Sequence, residues 1–152
     1  MGYDIDYLKS VVRPFKAVHK PLVFGAFGLT KERDVAIALN SGNCKYDSKG
    51  TTCIIWKELK RKSVKKDFRG TPFKYNSGSV VITNFATSDY DVGLRMIITF
   101  LNKARERTGD VYAEIFEEDS VAKKIISKLG FIWNTTKISA GSEIIGIYKY
   151  RD

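Results

Sequence analysis

Two carboxylates in this sequence have settings that suit acid–base chemistry. Glu114 lies inside Asp110–Phe116, whose residues alternate as in a strand, and Glu58 follows Trp56 at the end of another strand-like segment. A carboxylate beside a ligand cleft can accept a proton from a reacting group. The alternative for Glu114 is a charge that keeps an exposed strand face soluble. The alternative for Glu58 is a salt bridge to the lysines around it.

A basic segment offers a second kind of chemistry, the binding of polyanions. Lys57–Arg69 holds seven Lys and Arg residues against two acidic ones, in a chain whose formal charge is +9 and whose pI is near 9.5. Such a field attracts phosphates. The candidate phosphate contacts are Lys60, Arg61, Lys62, Lys65, Lys66 and Arg69, and the aromatic residues that could stack on bases are Trp56, Phe68, Phe73 and Tyr75. The alternative is a solvated hairpin whose aromatic residues are rooted in the core.

The composition indicates one folded domain over residues 1–152, because 43% hydrophobic and 12% aromatic residues exclude a disordered chain. No apolar run reaches the length of about 18 residues that a membrane helix needs. The acidic N-terminus lacks the features of a signal peptide, so we expect a cytoplasmic protein. Cys44, Cys53 and the lone His19 have no metal-ligand spacing, and we expect no metal site.

The stretch Val80–Phe131 predicts the elements that would position these residues. Ser79–Thr87 is rich in apolar, β-branched residues and predicts a strand, whereas Asp91–Arg105 repeats its apolar residues with helical spacing. Asp110–Phe116 predicts a second strand. We expect Gly109 to end the helix in a left-handed turn.

A second short helix should follow, capped by Asp119 or Ser120 and ended by Gly130. A strand–helix–strand unit makes two parallel neighbours, and a ligand enters outside the carboxyl ends of such strands where they splay apart. The sequence therefore places the expected site at Phe85–Gly93 and Phe116–Ser120.

The rest of the chain predicts an antiparallel lead-in and a closing hairpin. Gly70, Pro72 and the polar Asn76–Gly78 indicate a loop. The remaining expected elements are a helix over Asp4–Val12, a hairpin of Leu22–Gly28 with Asp34–Leu39 (or a helix over Thr30–Leu39), a strand over Thr51–Glu58, and a final strand pair, Phe131–Ile138 and Glu143–Tyr150.

The segment Asp119–Phe131 resembles a late motif of the GNAT superfamily of N-acetyltransferases, Asn-x-x-Ala-x-x-x-Tyr-x-Lys-x-Gly-Phe. Ala122, Lys128, Gly130 and Phe131 fall on that pattern. The resemblance implies an α/β (α+β) fold with a central mixed, mostly antiparallel sheet, a splayed parallel strand pair and flanking helices.

An earlier motif of the family, Gln/Arg-x-x-Gly-x-Gly/Ala, is expected one helix, one strand and one helix upstream. Ser88–Gly93 lies at that separation, and Gly93 matches the final glycine. The resemblance implies that acetyl-CoA, or another acyl-CoA, binds there, with its pyrophosphate at the helix N-terminus and its pantetheine arm along the preceding strand. The residues that it assigns to the cofactor are Phe85, Ala86, Thr87, Asp91, Val92, Gly93, Leu94, Asp119 and Lys123.

This sequence departs from the family pattern at the expected pyrophosphate site. Ser88 replaces the Gln/Arg and Asp91 replaces the first glycine, while Asp89 adds a second negative charge. Repulsion at an exposed site amounts to about 1 kcal/mol or less, so these charges would weaken pyrophosphate binding without forbidding it. The alternative is that both aspartates are ordinary helix N-terminal residues.

The expected general acid is also missing. Ile126 occupies the position of the tyrosine that protonates the leaving thiolate in many family members. Tyr148 or Tyr112 could supply a phenol instead, although aromatic residues on strands are more often part of the core.

Three functions remain open from the sequence. The first is an N-acyltransferase that moves an acetyl group from acetyl-CoA to a small-molecule or protein amine, with Glu114, Glu58 and Tyr148 as catalytic candidates. The second is a GNAT-fold nucleic-acid-binding or DNA-modifying protein acting through the basic segment, for which the phage Mom-type DNA modifiers are an analogy. The third is a catalytically silent interaction domain.

Overall fold

The computed structural model describes residues 43–46, 52–87, 89–104, 106, 109–138, 142 and 144–151. The elements predicted before residue 43 lie outside these residues. The described elements are β1 (Cys44–Tyr46), β2 (Thr52–Glu58), β3 (Ser63–Lys66), β4 (Pro72–Tyr75), β5 (Val80–Thr87), α1 (Tyr90–Ala104), β6 (Val111–Phe116), α2 (Ser120–Lys128), β7 (Phe131–Ile138) and β8 (Ile144–Tyr150). Neither described helix is long and apolar enough to cross a membrane.

Six of the described strands form one mixed sheet in the order β1-β2-β5-β6-β8-β7. Among them, β5 and β6 are the one parallel pair, and the other neighbours are antiparallel. Helix α1 connects the parallel pair, as a crossover connection requires. The predicted fold, a mostly antiparallel sheet with one parallel pair and flanking helices, is confirmed.

The parallel pair splays apart toward its carboxyl end. Residue pairing between β5 and β6 runs from Val80–Val111 to Ile82–Ala113 and stops there, although β5 continues to Thr87 and β6 to Phe116. The outer neighbours hold both strands to their carboxyl ends, since β2 pairs with β5 as far as Thr87 and β8 pairs with β6 as far as Phe116. We call the space between the two free strand ends the β5–β6 gap.

A bulge coincides with the point at which the strands separate. The β2–β5 register shifts between Ile55 and Trp56, which face Asn84 and Ile82, and leaves Thr83 as the extra residue on β5. A bulge bends its strand and increases the local twist, so the course of β5 changes where its pairing with β6 stops.

The two helices cover one face of the sheet, which we call the helix face. The apolar stripe predicted for α1 is confirmed, because Ile97, Phe100, Leu101 and Ala104 are buried in one cluster with side chains of β5 and β6. Helix α2 adds further buried residues to this cluster: Ala122, Ile125 and Ile126.

The β3–β4 hairpin lies on the opposite face, which we call the hairpin face. The rings of Tyr75 and Tyr112 lie 4.7 Å apart between centroids, and the backbone N–H of Phe68 donates to the carbonyl of Thr136 on β7 at 2.9 Å. The hairpin therefore reaches from β6 to the edge of the sheet. The loop predicted around Pro72 was partly wrong, because Pro72 begins β4, and proline is tolerated at the first residue of a strand.

The two glycines expected at helix ends differ. Gly130 has φ of 99° and ends α2 as predicted. Gly109 does not have a positive φ, so its prediction was wrong. Its side-chain position is closed instead, because a Cβ on Gly109 would lie 1.7 Å from the carbonyl oxygen of Gly78.

We predict that Gly109→Ala destabilises the fold by about 3 kcal/mol or more, since a backbone atom cannot move aside as a side chain does. The matched control is Gly70→Ala, where φ is 79° but no atom lies within 4 Å, so its cost should stay near the 1–2 kcal/mol of a left-handed alanine. Urea denaturation measures both. Equal losses in the two variants would show that the contact between Gly78 and Gly109 does not constrain the fold.

Candidate functional site

Three segments converge at the open end of the β5–β6 gap: the end of β5, the first turn of α1, and the turn from β6 into α2. Gly93 joins them, because a Cβ there would lie 2.9 Å from Thr87 Cγ2 on β5 and 2.9 Å from Ile125 Cδ1 on α2. The first region that the sequence predicted as part of the site, Phe85–Gly93, therefore packs against α2, the helix that follows the second region, Phe116–Ser120.

The end of β5 is fixed by a buried hydroxyl pair. Thr87 Oγ1 lies 2.8 Å from Thr52 Oγ1, donates to the carbonyl of Asp89 at 2.7 Å and accepts from the N–H of Asp89 at 3.1 Å. These bonds tie the start of α1 to β5 and β2. Of the other two β5 residues assigned to the cofactor, Phe85 is buried in the helix-face core, and Ala86 is described through its backbone alone.

The N-terminus of α1 is capped by the chain itself. Asp89 Oδ1 accepts from the N–H of Val92 at 3.2 Å, and the Asp89 carbonyl accepts from the N–H of Gly93 at 2.9 Å. A carboxylate at this position satisfies helix amides that an anionic ligand would otherwise bind. Asp91 is exposed in the same turn, while Leu94 packs against the helix-face core.

Packing accounts for the glycine at position 93. Gly93 is buried, and its missing side chain lets the first turn of α1 approach β5 and α2 closely. The family resemblance implied that this glycine lets backbone amides approach a pyrophosphate. Its own N–H, however, already donates to the Asp89 carbonyl at the start of the helix.

The turn before α2 brings a second group of charges to the gap. Asp119 caps α2, because its Oδ1 accepts from the N–H of Ala122 at 3.0 Å, and burial raises the pKa of its carboxyl group although the backbone bonds oppose this. Lys123 Nζ donates to Glu117 Oε1 at 2.8 Å. These contacts engage two of three consecutive acidic residues, 117–119, and the described part of the chain holds no group of three His, Cys, Asp or Glu side chains that could bind a metal ion.

Tyr148 lies on β8 opposite Ala113, the last residue of β6 that pairs with β5, and its ring points along β8 toward the open part of β6. A Cβ on Gly146 would lie 2.8 Å from Tyr148 Cε2 and 3.3 Å from Tyr148 Oη, so the ring extends over Gly146, which pairs with Ile115. Burial raises the pKa of the Tyr148 phenol, the charge of Lys123 opposes this, and that of Glu117 reinforces it. The phenol therefore keeps its proton at neutral pH.

Glu114 lies just beyond the last β5–β6 pair, on the hairpin face. Its side chain is 11% exposed, and its two oxygens accept from different donors, Oε1 from Lys137 Nζ at 2.8 Å and Oε2 from Tyr75 Oη at 2.7 Å. Burial raises the pKa of the Tyr75 phenol well above its usual range, and the charge and hydrogen bond of Glu114 raise it further. The sequence identified Glu114 as a site residue but missed Tyr75 and Lys137 as its partners.

Other candidates lie away from the gap. Glu58 pairs with Val80 at the opposite end of β5, about 20 Å along the strand from Thr87. Tyr112 pairs with Val81 in the closed part of the pair and packs on Tyr75. Ile126 is fully buried in the helix-face core.

Most of the basic segment lies in the β3–β4 hairpin, and Lys57 lies on β2. Its six candidate phosphate contacts are all exposed. Of the four aromatic residues considered for stacking on bases, Phe68 is exposed, whereas Trp56 packs on Phe100 and Phe73 packs on the buried Tyr75. Cys53 is buried, while Ser88, His19 and the side chain of Cys44 lie outside the described residues.

Comparisons with known proteins identify the fold. Two GNAT-family acetyltransferases have similar structures. The one from Streptococcus agalactiae 2603 has a TM-score of 0.55 and 15% identity, with 97% of this chain and 88% of that chain covered. The one from Bacillus cereus ATCC 10987 has a TM-score of 0.52 and 12% identity, with 100% and 95% covered. The chain therefore has the GNAT fold.

A chain of the NatC complex bound to Gag peptide and CoA is less similar. The alignment covers 67% of this chain, with a TM-score of 0.47 and 14% identity. This chain spans 61% of the length of that one. No protein-family model matches the sequence, and a search of curated proteins finds no match.

We predict that in Tyr75→Phe the free energy of unfolding falls less steeply with rising pH at alkaline pH than it does in the wild type. The unfolded chain releases the Tyr75 proton near the ordinary pKa of 10.0, whereas the folded chain retains it. The folded state then binds more protons above pH 10, so this residue lowers the free energy of unfolding by up to about 1.4 kcal/mol per pH unit as pH rises. Urea denaturation of both proteins from about pH 8 to pH 11 measures the difference in slope. Parallel curves would show that Tyr75 ionises as readily when folded.

Proposed function

We propose that this protein is an acyl-CoA-dependent N-acyltransferase that transfers an acetyl group from acetyl-CoA to an amine. The observation that carries the proposal is the β5–β6 gap: two parallel strands of a GNAT fold stop pairing after three residues while their outer neighbours hold them in place. Ligands of open α/β sheets bind outside the carboxyl ends of such strands.

The gap fits the thioester arm of the donor. Beyond Ile82, no residue of β5 pairs with β6 in the described register, and the inner edge of Phe85–Thr87 is left without a strand partner there. Backbone N–H and C=O groups need partners when water is excluded, and a pantetheine arm carries amides that can act as those partners. We assign Phe85, Ala86 and Thr87 to this contact.

The N-terminus of α1 fits the diphosphate of the donor less well. The Asp89 carboxylate already occupies the capping position, and Asp91 adds a second negative charge in the same turn. Lys123 on α2 carries a positive charge, but its ammonium group is paired with Glu117. We therefore expect recognition to depend on the thioester arm more than on the diphosphate.

Two side chains of this site can handle the protons of the reaction. Acyl-CoA supplies an activated thioester and a thiolate leaving group when it is bound. Glu114 presents a carboxylate held in place by Lys137 and Tyr75, which can bind the amine as it becomes cationic and accept its proton. The Tyr148 phenol is protonated at neutral pH, since burial only raises its pKa above the ordinary value of 10.0, so it holds a proton that it can give to the leaving sulfur.

The two groups lie on opposite faces of the sheet, Glu114 on the hairpin face and Tyr148 on the helix face. A donor in the gap would have the amine on one side and the leaving group on the other. Tyr148 then acts as the general acid. In many GNAT enzymes this role belongs to a tyrosine at the position that Ile126 occupies in this chain.

Acetyl transfer tests the proposal, with a general amine such as a polyamine or a peptide N-terminus as the acceptor and thiol release as the readout. We expect Tyr148→Phe and Glu114→Gln each to lower kcat by about 10²-fold or more, the usual contribution of a general acid or base. Tyr112→Phe and Glu58→Gln, which alter the same groups away from the gap, should stay within about twofold of the wild type. Far-UV circular dichroism checks that every variant folds.

A thermal melt separates a missing acceptor from a missing donor site. A ligand that binds only the folded state adds about 2.7 kcal/mol at a hundredfold excess over its Kd, so acetyl-CoA should raise the Tm, with ATP as the control. No shift with acetyl-CoA and no thiol release with any amine would contradict the proposal.

We also predict that the double variant Asp89→Asn with Asp91→Asn binds acetyl-CoA about two- to tenfold more tightly, because each removed charge repels the diphosphate by up to about 1 kcal/mol. Asparagine still caps the helix. Acetyl-pantetheine, which lacks the diphosphate, should gain nothing, and Glu106→Gln beyond the other end of α1 should not change the Kd. Calorimetric titration of the wild type, the double variant and Glu106→Gln with each donor measures these Kd values. An equal gain for both donors would show that the aspartates act through the helix rather than on the diphosphate.

A further inference from the structure

Two large aromatic side chains are exposed at the edge of the sheet, next to the tip of the hairpin. Trp133 is 57% exposed and Phe68 is 48% exposed. Both are fixed to one residue of β7, because the carbonyl of Thr136 accepts from the N–H of Phe68 at 2.9 Å and Thr136 Oγ1 accepts from Trp133 Nε1 at 3.0 Å. We call Phe68, Arg69, Trp133 and Thr136 the tip surface.

The local backbone explains why these rings remain outside the core. The β7–β8 register shifts between Trp133 and Thr135, which makes Asn134 the extra residue of a bulge on an edge strand. A bulge redirects the side chains beside it. The hairpin tip is anchored to the same place, because Thr135 Oγ1 donates to Asp67 Oδ2 at 3.3 Å.

Positive charge surrounds the tip surface. Arg69 lies over the ring of Phe68, with its Cζ atom 5.0 Å from the ring centroid. From residue 59 to residue 75 the hairpin carries seven basic residues and one acidic residue, a net charge of +6 in a chain of +9. The acidic residue, Asp67, is engaged by the backbone N–H groups of Arg69 and Thr71. Lys66 and Lys74 are exposed on the two strands of the hairpin.

We propose that the tip surface and the β3–β4 hairpin bind single-stranded nucleic acid. Bases stack on Trp133 and Phe68, and phosphates contact the exposed lysines and arginines of the hairpin. Stacking on an aromatic side chain requires an unpaired base, and phosphate contacts require positive charge without a compensating acid. An acidic peptide would use the charge and leave both rings without a role. The site shares no residue with the β5–β6 gap, so it does not rest on acyl transfer.

Fluorescence anisotropy with a labelled oligothymidylate of about 20 nucleotides tests the proposal. We expect the binding constant to fall about 10²-fold between 50 and 200 mM salt, as four to five phosphate contacts to a single strand require. Trp133→Ala and Phe68→Ala should each weaken binding about five- to a hundredfold, the range measured for one stacked base. Lys66→Glu with Lys74→Glu should weaken binding and reduce the salt dependence.

Matched variants control for each change. Ile138→Ala removes an exposed apolar side chain from the same strand, and Lys128→Glu reverses an exposed charge on α2, so both should bind as the wild type does. The chain has two tryptophans, and Trp56 packs on Phe100. Quenching of tryptophan fluorescence by the oligonucleotide should therefore disappear in Trp133→Phe.

Competition identifies the ligand class. Heparin and poly-glutamate offer charge without bases, and a duplex of the same length offers phosphates with its bases paired. The single strand should bind more tightly than each of them at 150 mM salt. The proposal would be overturned if heparin, poly-glutamate or the duplex bound as tightly as the single strand. It would also be overturned if Trp133→Ala and Phe68→Ala both bound the single strand with unchanged affinity.

Discussion

The structure depends on one constraint: β5 and β6 must separate after three paired residues and still belong to one sheet. Pairing with the outer strands satisfies this constraint, because β2 pairs with β5 to its last residue and β8 pairs with β6 to its last residue. The bulge opposite Ile55 and Trp56 bends β5 at the point of separation. The helix ends, the buried hydroxyl pair of Thr52 and Thr87, and the turn before α2 all take their positions from these two strand ends.

The two faces of the sheet have different chemistry at the gap. The helix face is a continuous apolar cluster, and it carries the Tyr148 phenol, whose pKa burial raises further above neutral pH. The hairpin face carries Glu114, and a largely buried carboxylate is stable only when both of its oxygens have donors. Lys137 and Tyr75 supply them from β7 and β4, so the hairpin also fixes the orientation of a candidate catalytic group.

Periodicity predicted β2 and the elements from β5 onward, because apolar spacing directly reflects which residues are buried, but it did not predict β3 and β4. Other features are not local. The donors to Glu114 come from 39 residues before it and 23 residues after it, and no spacing rule connects them. The glycines at 93 and 109 are required by close approach of distant segments, although both positions looked like turn or ligand glycines. The strand begun by Pro72 forms because β3 pairs with it, and the exposure of Trp133 follows from a bulge.

We propose that the thioester arm of an acyl donor occupies the β5–β6 gap. Amide hydrogen exchange with and without saturating acetyl-CoA tests it most directly. Occupation of the gap should slow exchange in the backbone of Phe85–Thr87 and in the segment from Glu114 to Phe116, with little change in β3 and β4. Protection confined to the basic hairpin, or no protection at the strand ends while the ligand is bound, would contradict it.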